Sequence, residues 1–260
     1  MLEAFNLMII RALLPAEGRD LRLDLFRGVA NWAIFINHIP NNAVMWITTR
    51  NYGFSDAAEI FVFIAGYAAA IVYAKSMLTQ GFTAGTTRLL ERAWHLYVAH
   101  VVLLVINLAV INWAAQTYNE PHLLDEFNVA GLTDHPVLTL TQGLLLKYKP
   151  FNFDILPLYI VVLAACPPAL WLMLRRPDVT IVGALALYFS ARHFEWNLPA
   201  YPSGVWYFNP FTWQFLFMLG AWCALGGASR TRTIIRSPAV LVIGTAYLSF
   251  ALVMTMAGHF

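Results

Sequence analysis

The sequence predicts an all-α polytopic membrane protein with about seven transmembrane helices and a cytoplasmic N-terminus. The prediction depends on composition, on long apolar runs and on where the positive charges lie. Apolar residues make up 60% of the 260 residues and charged residues 12%, whereas soluble domains average roughly 45–50% and 25%. The net charge of +2 gives no electrostatic reason to expect a nucleic-acid partner.

Seven runs have the length and composition of membrane spans, which need about 20 mainly apolar residues. They lie near 28–47, 56–78, 93–115, 153–174, 178–192, 209–228 and 238–258. Residues 1–20 carry an early acid and lack a small-residue cleavage site, so we expect a short interfacial segment there. Residues 116–152 are expected to form an outer loop with an interfacial helix near 136–146. The prediction for 1–260 is therefore one membrane-embedded domain.

The loop charges give these spans a direction. Twelve of the 16 Lys and Arg residues fall in loops on one side of the predicted membrane. The other side holds only Arg50, Lys147, Lys149 and Arg192. The positive-inside rule places the richer side, with the N-terminus, in the cytoplasm. The segments 116–152 and 193–208 are then expected to lie outside.

The first span carries polar residues that an apolar helix does not need. At about 100° per residue, one face of a helix would hold the following positions: Arg27, Asn31, Ile34, His38, Asn41 and Asn42. Pro40 is expected to kink the helix just beyond His38. Ionisable residues inside a span are functional hypotheses by default. The alternative is that this face only packs on neighbouring helices through amide hydrogen bonds.

The second span opens with acids that permit two interpretations. Ser55 is a suitable N-cap, and Asp56 and Glu59 suit the positive end of a helix dipole. The other interpretation is that a carboxylate at this depth orients the His38 imidazole and stabilises its protonated form. Gly66 and its alanine neighbours predict close helix packing in the same span.

Two further groups of residues each permit two interpretations, membrane anchoring and ligand binding. Arg88 and Arg92, at the start of the third span, could anchor it at the interface or bind a phosphate-bearing ligand. Trp196, Trp206 and Asn209 could belong to an aromatic belt or to a platform for sugar rings. Asp154 is either an acid at the start of a helix or a site residue on the same side of the membrane as Trp196, Trp206 and Asn209. No metal-ligand spacing such as HExxH is present, so no metal is predicted.

Several motifs together resemble the OpgC family of osmoregulated periplasmic glucan succinyltransferases, within the type-three membrane-bound acyltransferases. They are R-L-D-L-F-R-G at 22–28, I-N-H-I-P at 36–40, N-Y-G-F-S-D-A-A-E-I-F-V-F-I-A-G-Y at 51–67, F-D-I-L-P-L-Y at 153–159 and F-N-P-F-T-W-Q at 208–214. The D-x-x-R-G…H pattern alone is shared by the superfamily. The resemblance implies about ten spans, so we expect a chain truncated relative to the family fold.

The resemblance implies an O-acyltransferase of the bacterial inner membrane. An acyl group, succinyl by this resemblance, would pass from cytoplasmic acyl-CoA to hydroxyls of a periplasmic glucan. Acyl-CoA is then a co-substrate, and no bound cofactor is expected. The catalytic set would be His38, Asp56 and Glu59. Donor binding is expected at Arg22, Arg27, Asn31, Arg88 and Arg92, and acceptor binding at Asn41, Asp154, Trp196, Trp206 and Asn209.

Two other functions compete with this one. A proton-coupled transporter would use an intramembrane relay of His38 and a carboxylate, and it predicts inverted repeats with paired broken helices. A noncatalytic assembly subunit predicts that His38 and Arg27 tolerate substitution. If the chain is the enzyme, His38 acts either as a general base on a sugar hydroxyl or as a transient acyl carrier.

Overall fold

The structure is a computed structural model that describes residues 21–39 and 42–257. The expected interfacial segment 1–20, the Pro40 kink and Asn41 lie outside the described residues. The described part is helical and has two isolated β-bridges, Tyr148 to Tyr201 and Pro199 to Val205. Its helices are α1 (Leu21–Asn37), α2 (Ala57–Gln80), α3 (Phe82–Thr117), α4 (His122–Glu126), α5 (Ala130–Asp134), α6 (Pro136–Leu144), α7 (Ile155–Ala165), α8 (Pro167–Arg175), α9 (Pro177–His193), α10 (Pro210–Ile235) and α11 (Pro238–Ala257). α2 and α10 each include a π-helical segment, Ala70–Ala74 and Cys223–Gly227, and α10 is kinked at the second of these.

Four of these helices are long and apolar enough to cross a membrane. They are α2, α3, α10 and α11. The pair α7 and α8 would make a fifth span if the two count as one, since they bend by 54° at a short break. The predicted first and fifth spans correspond to α1 and α9, which have 17 residues each. An all-α membrane protein is thus confirmed, and the count of seven stays a prediction.

The helix of the first span ends earlier than the sequence predicted. α1 stops at Asn37, and two short 3₁₀ segments follow at Ala43–Ile47 and Thr49–Asn51. The Asn42 side chain donates hydrogen bonds to the carbonyl oxygens of Ile36 and Ile39, at 2.7 and 3.3 Å. These bonds add side-chain donors to carbonyl groups at the end of α1, where the regular helical pattern of hydrogen bonds stops.

The described residues divide into two compact units. Unit 1 comprises 21–39, 42–79, 170–182 and 216–257, and unit 2 comprises 80–169 and 183–215. In unit 1, Gly66 of α2 faces the backbone of α10 so closely that a β-carbon there would overlap the Phe217 carbonyl group. Gly220 of α10 meets the Phe63 carbonyl in the same way. The predicted close packing at Gly66 is confirmed.

Unit 2 contains a folded region where the sequence predicted an outer loop. The segment 116–152 forms α4, α5 and α6 and then a series of turns that contains the bridge residue Tyr148. Its core consists of Leu104, Leu108 and Ile111 of α3 with Val129 and Tyr148. The helix expected near 136–146 is present as α6, whereas its location at a membrane interface stays a prediction.

Candidate functional site

His38 lies in the turn directly after α1, and its side chain is exposed. Its Nδ1 atom is 2.7 Å from the carbonyl oxygen of Ile34. Because a carbonyl oxygen only accepts hydrogen bonds, Nδ1 carries the proton in this contact. In the neutral ring Nε2 is then the basic nitrogen, as a general base or a nucleophile requires. The backbone of α1 therefore selects the tautomer of the histidine that the sequence singled out.

The residue before His38 forms a buried polar network that sequence reasoning missed. Asn37 Nδ2 donates to Asp56 Oδ1 at 2.7 Å, and Thr48 Oγ1 donates to Asn37 Oδ1 at 2.6 Å. Asn37 and Thr48 are buried, as is Asn51, whose Nδ2 donates to the Met45 carbonyl oxygen at 2.9 Å. The network ties the end of α1 to the start of α2. Its only sequence signal was one more amide in an apolar run.

The two acids at the start of α2 form its cap. Asp56, not Ser55, is the N-cap residue, and its Oδ1 accepts from the backbone N–H of Ala57 at 2.6 Å. Glu59 Oε2 accepts from the backbone N–H of Asp56 at 2.8 Å. This capping box satisfies donors at the helix start. Asp56 thus reaches the histidine region through Asn37, and the Ile34 carbonyl is what orients the His38 ring.

The predicted donor-binding residues of α1 lie on its accessible surface. Arg22 and Asn31 are exposed, and Arg27 is half-buried. Arg27 Nη1 lies 3.8 Å from Asp24 Oδ1, one turn earlier. Arg27 and His38 are roughly 16 Å apart along the helix axis, from the rise of 1.5 Å per residue. Arg27 therefore lies in the first half of α1, and His38 lies just past its C-terminal end.

Arg88 and Arg92 belong to unit 2 and lie near the start of α3. Both side chains are exposed, and the spacing of four residues puts them on one helix face. α3 begins at Phe82, so this pair lies within regular helix and not in a loop. Such a pair can bind two oxygens of a phosphate group.

The two predicted outer segments of unit 2 pack together. Tyr201 N donates to the Lys147 carbonyl oxygen at 3.0 Å. Tyr148 Oη donates to the Asn128 carbonyl oxygen at 2.6 Å, and Asn128 Nδ2 donates to the Lys149 carbonyl oxygen at 3.1 Å. These bonds fix the stretch 147–149 between α4, α5 and the segment 193–208.

Asp154 and Trp206 meet around a lysine that sequence reasoning missed. Lys149 Nζ is 3.9 Å from Asp154 Oδ1 and 3.9 Å from the centre of the Trp206 ring. Lys149 and Trp206 are both buried. From the sequence alone Lys149 is only an outer-loop charge, because its burial depends on a tryptophan more than fifty residues away in the sequence.

Burial acts on Lys149, which lies outside the predicted spans. It lowers the pKa of Lys149 to about 8, and the nearby Asp154 carboxylate opposes that shift. Desolvation is the larger effect, so the ion pair compensates the burial of the Lys149 charge incompletely.

The remaining acceptor candidates are farther along the same segment. Trp196 is exposed and stacks on Phe194, with ring centres 5.5 Å apart. Asn209 Nδ2 donates to the Trp196 carbonyl oxygen at 2.6 Å, and its Oδ1 accepts from Phe211 N at 3.0 Å. Asn209 therefore serves at least to cap α10 and hold the tryptophan backbone.

A family model described as OpgC protein matches residues 19–260. The chain belongs to the OpgC family. No curated protein and no solved structure matches. Membership in the OpgC family suggests a glucan-modifying acyltransferase. With the apolar helices, it also indicates a membrane-bound protein.

Proposed function

We propose that this chain is an O-acyltransferase that moves a succinyl group from cytoplasmic acyl-CoA to hydroxyl groups of a periplasmic glucan. The proposal is supported by the OpgC family match and by the contact between His38 Nδ1 and the Ile34 carbonyl oxygen. It locates the protein in the bacterial inner membrane, where donor and acceptor can approach from opposite sides.

In this proposal His38 Nε2 accepts the proton of the sugar hydroxyl. The hydroxyl oxygen forms the new ester bond to the acyl carbon, and the carbon–sulfur bond of the thioester breaks. The proton then passes from His38 to the departing CoA thiolate, which leaves as the thiol. The Asn37–Asp56 bond holds the turn in which His38 lies, so both residues position the base. General-base catalysis of this kind contributes typically 10²–10⁴-fold.

A variant of this route makes His38 the carrier of the acyl group. Nε2 would attack the thioester first and release CoA, and the sugar hydroxyl would then take the acyl group from the imidazole. The two routes differ in whether CoA appears before the acceptor is added. A burst of CoA without glucan supports the carrier route.

The cationic residues are assigned to the donor. Arg22 and Arg27 on α1, and Arg88 and Arg92 on α3, would bind the CoA phosphates, and Asn31 would line the path of the pantetheine arm. Asn41, Asp154, Trp196, Trp206 and Asn209 are assigned to the glucan acceptor.

Labelled acyl-CoA supplied to inside-out membrane vesicles with trapped periplasmic glucan tests this function. We expect label from succinyl-CoA to appear on the glucan, and less label from acetyl-CoA. If no acyl-CoA transfers label, the proposal is wrong. Proton-coupled uptake by proteoliposomes without acyl transfer would instead support the transporter.

A further inference from the structure

Three buried polar side chains of unit 2 lack hydrogen-bond partners and lie together. The Lys149 side chain is 5% exposed, Trp206 is 4% exposed and His100 is 0% exposed. Lys149 Nζ, Trp206 Nε1 and both ring nitrogens of His100 have no hydrogen-bond partner among the described residues. We call Lys149, Trp206 and His100 the buried polar cluster.

Two members of the buried polar cluster are in direct contact, since Lys149 Nζ lies 3.9 Å from the centre of the Trp206 ring. His100 is linked to them through intermediate residues. Its ring is 5.9 Å from the ring of Phe153, whose chain neighbour Asp154 pairs with Lys149. Four unpartnered polar atoms therefore belong to one region of unit 2.

Such a concentration needs a physical explanation. Buried polar atoms in folded proteins almost always have hydrogen-bond partners, and a buried ammonium group is the costliest to leave without one. Asp154 offsets part of the charge of Lys149, but 3.9 Å is too long for a hydrogen bond. The ion pair thus leaves the hydrogen-bonding capacity of Lys149 unused.

The composition of the buried polar cluster indicates which ligand would satisfy its hydrogen-bonding groups. An ammonium group has three donors, an indole N–H one, and a neutral imidazole one donor and one acceptor. Donors exceed acceptors, so the matching ligand accepts several hydrogen bonds and carries negative charge. A carboxylate has two oxygens with about four acceptor positions. Because all three side chains are buried, we expect the group that binds there to be small.

We infer that Lys149, Trp206 and His100 form a binding site for a small carboxylate group. The inference rests on the proposed function for the source of that group, since a succinyl chain ends in a carboxylate. Two reactants would bring it: the acyl donor, or a glucan that already carries a succinyl group. The shared chemistry is a terminal aliphatic carboxylate.

Binding of succinate to the purified full chain in lipid nanodiscs tests this site without requiring acyl transfer. We expect wild-type protein to bind succinate and not succinamide, which has the same carbon chain without carboxylates. Lys149→Met should weaken succinate binding at least about tenfold, the loss of one charge-assisted hydrogen bond. Lys147→Met is the matched control, because Lys147 is exposed two residues away, and it should bind as wild type.

A second variant keeps the test valid if Lys149→Met does not fold. Trp206→Phe retains an aromatic ring beneath Lys149 but removes the indole donor, and it should weaken succinate binding severalfold. Equal binding of succinate and succinamide, or undiminished binding in both folded variants, would overturn the inference.

Competition experiments distinguish the two sources of the carboxylate. If the acyl donor is the source, succinyl-CoA should displace labelled succinate. Neither unmodified nor succinylated glucan should then displace it. If the product is the source, succinylated glucan alone should displace it. Lys149-dependent succinate binding in a protein that transfers no acyl group would remove the proposed function and retain the site. Acyl transfer without succinate binding would overturn the site and retain the proposed function.

Discussion

Replacing Asn37 with leucine should destabilise the protein and impair the base at His38. The Asn37 amide donates to a carboxylate at 2.7 Å and accepts from a hydroxyl at 2.6 Å. A hydrogen bond to a charged group contributes about 1.5–3 kcal/mol and a neutral one about 1 kcal/mol. Thr48 Oγ1 also lies 2.8 Å from the Met45 carbonyl oxygen, to which it can still donate, so losing its bond to Asn37 costs less. We expect Asn37→Leu to lower the free energy of unfolding by about 2–3 kcal/mol.

Unfolding by SDS in mixed micelles measures that change, and acyl transfer measures its consequence. Because His38 is the next residue, we expect kcat to fall by more than KM rises. Asn31→Leu is the matched control for stability alone: Asn31 is exposed on the same helix, so its free energy of unfolding should change by no more than about 0.5 kcal/mol. A double-mutant cycle with Asp56→Ala should give a coupling of roughly 1.5–3 kcal/mol. Wild-type stability in Asn37→Leu, or zero coupling, would refute the reasoning.

Three other outcomes are expected. Gly66→Ala should severely reduce the yield of folded protein in an expression assay, because the added methyl group would overlap the backbone of α10. Gly244→Ala is the control and should be tolerated in the same assay, because there is open space around Gly244. Because Lys149 has its pKa lowered from 10.5 to about 8, the unfolded chain binds more protons between these values. Wild type should therefore gain stability relative to Lys149→Met as pH rises from about 8 to 10.5, and parallel curves would contradict this. Replacing Arg88 and Arg92 with glutamine should raise the KM for acyl-CoA severalfold with little change in kcat, and an unchanged KM would argue that they only anchor α3.

The sequence predicted the apolar helices better than their ends. The predicted third span, 93–115, is the apolar part of a helix that begins at Phe82. Hydropathy could not find the earlier turns, because they contain the charged residues Arg88, Glu91 and Arg92. The predicted span 153–174 is two helices bent at Cys166, where Pro167 and Pro168 supply no backbone N–H donors.

The site was predictable where one residue type is unusual in its local sequence. His38 stood out because an imidazole in an apolar run is rare, and Asp56 because it precedes a long apolar helix. Asn37 and Lys149 did not stand out, since their importance comes from partners elsewhere in the chain. An amide becomes a connector only when Thr48 and Asp56 fold beside it. A loop lysine becomes a buried cation only when Trp206 covers it.

Transfer of labelled succinyl from succinyl-CoA to periplasmic glucan by His38→Ala membranes tests the central claim most directly. His95→Ala is the matched control, since His95 is an exposed histidine on α3, and both variants should be compared at equal amounts of inserted protein. The account predicts that His38→Ala loses transfer by at least about 10²-fold, the typical contribution of a general base, while His95→Ala retains it. Transfer by His38→Ala at the wild-type rate would contradict the account.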